Sequence, residues 1–222
     1  ERMTAFGGLL ALIKFLDLIK FKDIFKNSYV SPPRTPILGC YRMVLGLLIM
    51  LFVGFHRIGH IKYLREDSMI TGILKVPVLP AVSTFWRYLQ SLKIIQSQAL
   101  LRIMAAVRAR VWQLAEYRPK RVRVNIDTTV ATIYGDTQGA HKGHNTKHRG
   151  KKGLRPVLCF LDETREYLCG TQRRGQTITG GVRLKSCASM SHDIVPELLP
   201  SSFCYLQGTQ GQNRTGTFVF PS

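Results

Sequence analysis

Arg121-Val122-Arg123-Val124-Asn125-Ile126-Asp127-Thr128-Thr129-Val130 is the stretch that decides how this chain reads. Val122, Val124 and Ile126 alternate with Arg123, Asn125 and Asp127. A period of two predicts a β-strand with one buried face. Upstream of Pro119 the apolar residues recur at helical spacing instead. The change divides the chain into a helical region, residues 1–118, and a strand-bearing region, residues 119–180. Beyond Gly180 the periodicity fades, and residues 181–222 are expected to form an irregular tail. Helices first and strands afterwards imply an α+β fold.

Two more strand-like runs follow, residues 156–161 and 166–173. Asp162-Glu163-Thr164-Arg165 between them is a short polar turn, so a hairpin is expected. Residues 135–153 are rich in glycine and basic side chains and read as a loop.

In the helical region Leu9, Leu12, Ile13, Leu16 and Ile19 form the first apolar stripe. Ser31-Pro32-Pro33 and Pro36 break the chain. A second helix is expected over residues 37–61, with a helix end and loop at residues 63–68. Pro77 and Pro80 mark the next break, after which Ser83 or Thr84 can cap a helix with its hydroxyl. The last helix is expected near residues 97–117, with Leu100, Ile103, Met104, Val107, Val111 and Leu114 as its stripe. Arg102, Arg108 and Arg110 lie off that stripe, facing either solvent or DNA.

Residues 43–55 carry no polar side chain. The run is short for a membrane span, which needs about twenty apolar residues, so a buried helix is the expectation. The alternative is a membrane-associated basic protein built on this run. It is internal and no signal peptide. The chain opens on Glu1, which suggests a fragment.

Thirty-two Lys and Arg against thirteen Asp and Glu give a net charge of +19. That excess points to a polyanion, nucleic acid before an anionic membrane, although a basic chain can also be merely soluble. Cys40, Cys159, Cys169, Cys187 and Cys204 are scattered, odd in number and without CxxC spacing. This argues against a disulfide framework and a cysteine-built zinc site, and favours a reducing compartment.

Asp127 is the first candidate for chemistry. A carboxylate fixed on a strand is well placed to hold a divalent cation, since the sheet sets its position. Mg²⁺ takes one or two protein carboxylates with phosphate oxygens and water. A lone strand Asp is also commonly structural. The second candidate is the run His141-Lys142-Gly143-His144-Asn145-Thr146-Lys147-His148-Arg149-Gly150-Lys151-Lys152-Gly153-Leu154-Arg155. It holds six Lys or Arg and no acid. Such a run can follow a phosphate backbone, its glycines permitting close approach; a solvated loop is the alternative. His141, His144 and His148 have no Cys or carboxylate beside them, which argues against zinc. Arg173-Arg174-Gly175-Gln176-Thr177 adds a positive tip, equally readable as a solvated strand end.

The string Ile126-Asp127-Thr128-Thr129-Val130-Ala131-Thr132-Ile133-Tyr134-Gly135, followed by Gly139-Ala140-His141-Lys142-Gly143-His144-Asn145, resembles the DDE group 1 insertion-sequence transposases of prokaryotes. The family's next strand is matched by Arg155-Pro156-Val157-Leu158-Cys159-Phe160-Leu161, and its Arg-x-Gly-x-Thr by residues 173–177. Upstream, Gly54-Phe55-His56-Arg57-Ile58, Tyr63-Leu64-Arg65, Leu79-Pro80-Ala81-Val82-Ser83-Thr84 and Arg87-Tyr88-Leu89 fit the same family. The resemblance covers about residues 5–180.

The resemblance implies a helical DNA-binding region, then the first strands of an incomplete ribonuclease-H-like catalytic domain of mixed α/β type. It implies Mg²⁺ or Mn²⁺ as cofactor, and Asp127 as the first acid of the catalytic and metal-holding triad. It further implies double-stranded DNA as partner at transposon ends and target, a homo-oligomer in the DNA complex, no membrane, and a cytoplasmic, nucleoid-associated setting. In that chemistry water cleaves the strand and the freed 3′ hydroxyl attacks target DNA. Lys142, Lys147, Arg149, Lys151, Lys152, Arg155, Arg173 and Arg174 are the expected DNA contacts. The second and third acids have no match. Asp193 and Glu197 lie in a segment unlike the family's, and residues from Gly181 depart from it, as a frameshift or a decayed gene copy would produce. The expectation is therefore a chain that does not transpose alone, with a non-catalytic DNA-binding remnant as the alternative.

Overall fold

The computed structural model describes residues 4–118, 121–143, 148–174 and 214–219. Of Arg121, Val122, Val124, Ile126, Arg173 and residues 214–219 it describes the backbone. The chain divides into two compact units, Glu1–Val111 and Trp112–Ser222. The division falls within a helix, ahead of the change of periodicity at Pro119.

The first unit is helical: α1 (Leu9–Leu18), α2 (Phe21–Ser28), α3 (Cys40–Phe52), a 3₁₀ turn (Ile58–Tyr63), α4 (Ser68–Leu74), α5 (Val82–Ser91) and α6 (Ile94–Leu114), the last crossing into the second unit. Met43, Ile49, Ile61, Leu64, Ile70, Leu74, Leu79 and Phe85 form the fully buried centre. Gly46 lies against Phe85 within that centre. A Cβ there would stand 3.4 Å from the Phe85 ring.

The helix expected over residues 37–61 is shorter, and the reason is Gly54. Its φ of +88° places it one residue past the helix cap. Gly54 N donates to Leu51 O and Phe55 N to Met50 O, each at 3.0 Å. Together these are the paired bonds of a Schellman motif, which closes a helix. The apolar run is also not wholly buried. α3 turns Met43, Leu45 and Ile49 inward, but Leu51 and Phe52 are 53% and 60% exposed. Among the described residues no helix is long and apolar enough to cross a membrane.

Other local expectations move by small amounts. The N-cap of α5 is Ala81, not Ser83 or Thr84, and no side chain caps it. Pro80 and Ala81 bring the extended chain directly into the first turn. Asp67, by contrast, caps α4 by accepting from the backbone N of Met69 and Ile70, and Thr4 Oγ1 donates to the same carboxylate. On α6, Arg108 is buried rather than solvated, while Met104 and Leu114 of the expected stripe are exposed.

The second unit holds an antiparallel sheet: β1 (Arg121–Thr128), β2 (Ala131–Thr132), β3 (His141–Lys142), β4 (Lys152–Leu161), β5 (Tyr167–Arg174) and β6 (Arg214–Val219). β4 pairs with β1, β2, β3 and β5, and β1 also pairs with β6. Helices followed by an antiparallel sheet make the chain α+β. The expected hairpin is present, with Cys159 opposite Cys169 and Val157 opposite Thr171. The expected loop is partly sheet: β4 begins three residues before Arg155, and its extended start offers backbone partners to β2 and β3. The expected irregular tail contains β6, paired along β1 from Arg121 to Ile126.

Candidate nucleic-acid interface

The pleat of β4 sorts the second unit into two faces. Gly153, Val157, Cys159 and Leu161 are buried, while the intervening residues are half-buried or exposed. Residues directly opposite across an antiparallel pair project to the same side. Asp127 is opposite Leu158, and Asn125 is opposite Phe160. Arg174 is opposite Leu154, and Lys142 is opposite Lys152. Lys152, Leu154, Leu158 and Phe160 alternate with the buried set. Asp127, Asn125, Lys142, Lys152 and Arg174 therefore share the open face. Along β4 the span from the Asp127 level to Lys152 is six residues, about 20 Å at the strand rise.

Arg155 separates from this group. It alternates with Leu154, on the side of the buried Val157, and is half-buried. Its partner across the hairpin is Arg173, whose side chain lies outside the described residues. Arg155 is among the expected DNA contacts, and the strand register sets it on the other side of β4 from Lys152. Arg149 and Lys151 are exposed on the approach to β4. Lys147 lies outside the described residues, as do His144, Asn145, the tip at 175–177, Asp193 and Glu197. The side chains of Val122, Val124 and Ile126, expected to form the buried face of β1, also lie outside them.

The acids of this unit are mostly engaged. Lys152 Nζ donates to Asp136 Oδ1 at 2.8 Å. That hydrogen bond first, and then the charge of Lys152, hold the Asp136 carboxyl below its usual range. At the other end, Arg123 Nε lies 3.4 Å from Asp162 and 3.6 Å from Glu163. Asn125 Nδ2 donates to Asp162 Oδ1 at 2.8 Å, and Glu163 accepts from the Arg123 backbone N. The polar turn expected between β4 and β5 thus clamps β1. Sequence reading missed this brace and the counter-charge on Lys152. Both join residues far apart in the chain, with no local spacing to signal them.

Asp127 is exposed and accepts from the backbone N of Thr128 at 2.7 Å. Among the described residues no group of three or more His, Cys, Asp or Glu could hold a metal ion. Asp162, which reaches Asn125 on the same face, is tied into the Arg123 brace. The residues described thus offer a divalent cation Asp127, whose Oδ1 already accepts from Thr128 N, and do not assemble a metal site by themselves.

Tyr167 covers the glycine of β5 on the open face. A Cβ at Gly170 would stand 2.7 Å from the Tyr167 hydroxyl and 2.7 Å from Val157 O. The Tyr167 ring meets Phe160 edge-on with centroids 5.6 Å apart, and burial raises the phenol pKa. An aromatic ring over a strand glycine replaces the side-chain packing that glycine lacks. Beside it, Trp112 Nε1 donates to Glu166 Oε1 at 3.2 Å.

Compared with known proteins, the chain matches no family model, no curated protein and no solved structure.

Proposed function

We propose that this chain is a DNA-binding portion of an insertion-sequence transposase of the DDE class, which holds duplex DNA on the open face of its sheet and does not cut it alone. One observation carries the reading. Lys142, Lys152 and Arg174 share a face with Asp127, the residue that the sequence resemblance aligns with the first acid of the triad. The three cations fall within two residues of β4, about 7 Å at the strand rise, a cluster that can grip the phosphate backbone, and the net charge of +19 supplies long-range attraction.

The finer fold reading, a ribonuclease-H-like domain, belongs to the same proposal. It is supported by an acid, Asp127, on the first strand of an antiparallel sheet. Mg²⁺ or Mn²⁺ and a homo-oligomer on DNA are expected of relatives that carry all three acids. In such relatives the cation supplies the activation of water or of a 3′ hydroxyl. In this reading Asp127 stands on β1 about 20 Å along the sheet from the Lys142–Lys152 pair, and those cations hold the phosphate backbone on the same face.

The test is binding of the full chain to a labelled duplex over a salt series, with and without Mg²⁺, read for both binding and cleavage. Affinity that falls steeply with salt, without cutting, is the expected result. Absence of binding at low salt overturns the proposal. Mg²⁺-dependent cutting that disappears in Asp127→Ala overturns its non-cutting half.

A further inference from the structure

The segment Phe55-His56-Arg57-Ile58-Gly59-His60-Ile61-Lys62-Tyr63-Leu64-Arg65, in the helical unit, alternates aromatic and basic residues. No acid occurs between Arg42 and Arg65. Its 3₁₀ turn has three residues per turn, so side chains three apart eclipse. Ile58, Ile61 and Leu64 form the ridge toward the core, where Ile61 and Leu64 are fully buried. His60 and Tyr63 form a second ridge, and Gly59 and Lys62 a third. The buried ridge fixes the other two in place.

Phe55 is set beside this turn by the Schellman bond that closes α3. Its ring lies 5.3 Å from His60 and 6.1 Å from Tyr63, and the last two rings are 6.0 Å apart. Tyr63 remains 61% exposed. Lys62 Nζ stands 4.8 Å from the Tyr63 centroid, while His56, Arg57 and Lys62 are exposed. Asp67, the second acid downstream, is turned into the N-terminus of α4 by its capping bonds; Glu66 is exposed.

We infer that Phe55, His60 and Tyr63, with Arg57 and Lys62, form a stacking platform for single-stranded nucleic acid, Tyr63 taking an unpaired base. A rigidly presented ring beside phosphate-binding cations is the combination that binds single strands without sequence readout. Lys62 covers the ring through an exposed cation–π contact, which is weaker than a base stack. Its flexible stem lets it move from the ring to a phosphate when a base arrives. The site belongs to the helical unit and does not depend on the reading of the sheet.

The experiment uses the full chain, a labelled oligothymidylate and a labelled duplex. Tyr63→Leu keeps apolar bulk and removes the ring, whereas Tyr63→Phe keeps the ring. Expected are a loss of oligothymidylate affinity of roughly tenfold in Tyr63→Leu, the scale of one base–aromatic stack, wild-type binding in Tyr63→Phe, and an unchanged thermal midpoint in both. Duplex affinity stays within twofold in either variant. Equal oligothymidylate binding by wild type and Tyr63→Leu, equal losses in both variants, or no oligothymidylate binding by wild type overturns the inference. A failure of duplex binding alone bears on the sheet and leaves these outcomes readable.

Discussion

Lys142 and Lys152 stand directly opposite each other across the β3–β4 pairing, and of the two Lys152 has an acid, Asp136, at 2.8 Å. Like charges directly opposite on a sheet are destabilising. Their juxtaposition works against folding and in favour of an anionic ligand. Lys142→Gln is expected to leave stability unchanged or raise it by up to about 1 kcal/mol, the scale of cross-strand pairs. The same change is expected to weaken duplex binding and reduce the slope of log affinity against log salt by roughly 0.9 for each phosphate that is no longer neutralised. Thermal unfolding and a salt series on one variant measure both. A stability loss with unaltered binding would refute the assignment of Lys142 to the DNA face.

Arg155 supplies the contrast. It lies on the buried-face side of β4, so Arg155→Gln is expected to cost stability without changing the salt slope. A slope that falls as it does for Lys142→Gln would return Arg155 to the DNA-facing set.

Asp136 gives a pH signature. Its folded pKa is depressed, so the contribution of the pair to stability is present above the unfolded carboxylate value. It is lost as pH falls through the lower folded value. The Lys152 hydrogen bond is the first cause. Lys152→Gln should therefore move the Asp136 titration back up toward the ordinary range, as followed by carboxyl NMR. An unmoved titration would mean that another group depresses it.

Asp127 sits on a face meant, in this reading, for phosphates, and its charge opposes them. Asp127→Asn should bind duplex DNA a few-fold more tightly, an order of magnitude at most for one exposed charge near a polyanion. Weaker binding by Asp127→Asn, in filter or anisotropy titrations without divalent ions, would place DNA elsewhere on the chain.

The period-two alternation at Asp127 and the helical stripes upstream were legible because each is a local pattern. So was the hairpin, marked by a polar turn between two apolar runs. The assignment of Arg155 was not legible. Which side of a sheet it occupies depends on register, and residues 152 and 153 read as loop until β2 and β3 supply their partners. The length of α3 was hidden for a different reason. Apolar residues continue past Phe52, and the stop signal is the single Gly54, which hydropathy counts as neutral. The burial of Arg108 was not legible either, since its charge and its place off the apolar stripe read as a solvated or DNA-facing side chain.

Two glycines separate the two ways in which this residue type is required. At Gly54 a Cβ would meet nothing within 4 Å, but φ is +88°. Gly54→Ala therefore strains only the backbone and should cost about 1 kcal/mol. At Gly170 the backbone is ordinary, and the conflict is with Val157 O and the Tyr167 hydroxyl. Gly170→Ala should cost more, on the order of 1–3 kcal/mol, as overpacking does. Removing Tyr167 should relieve part of it. The hydroxyl can move but the Val157 carbonyl cannot without disturbing the β4–β5 ladder. A double-mutant cycle with Tyr167→Ala in denaturant unfolding measures the division. Full additivity would mean that the backbone contact carries the whole cost, and that Tyr167 covers Gly170 without being constrained by it.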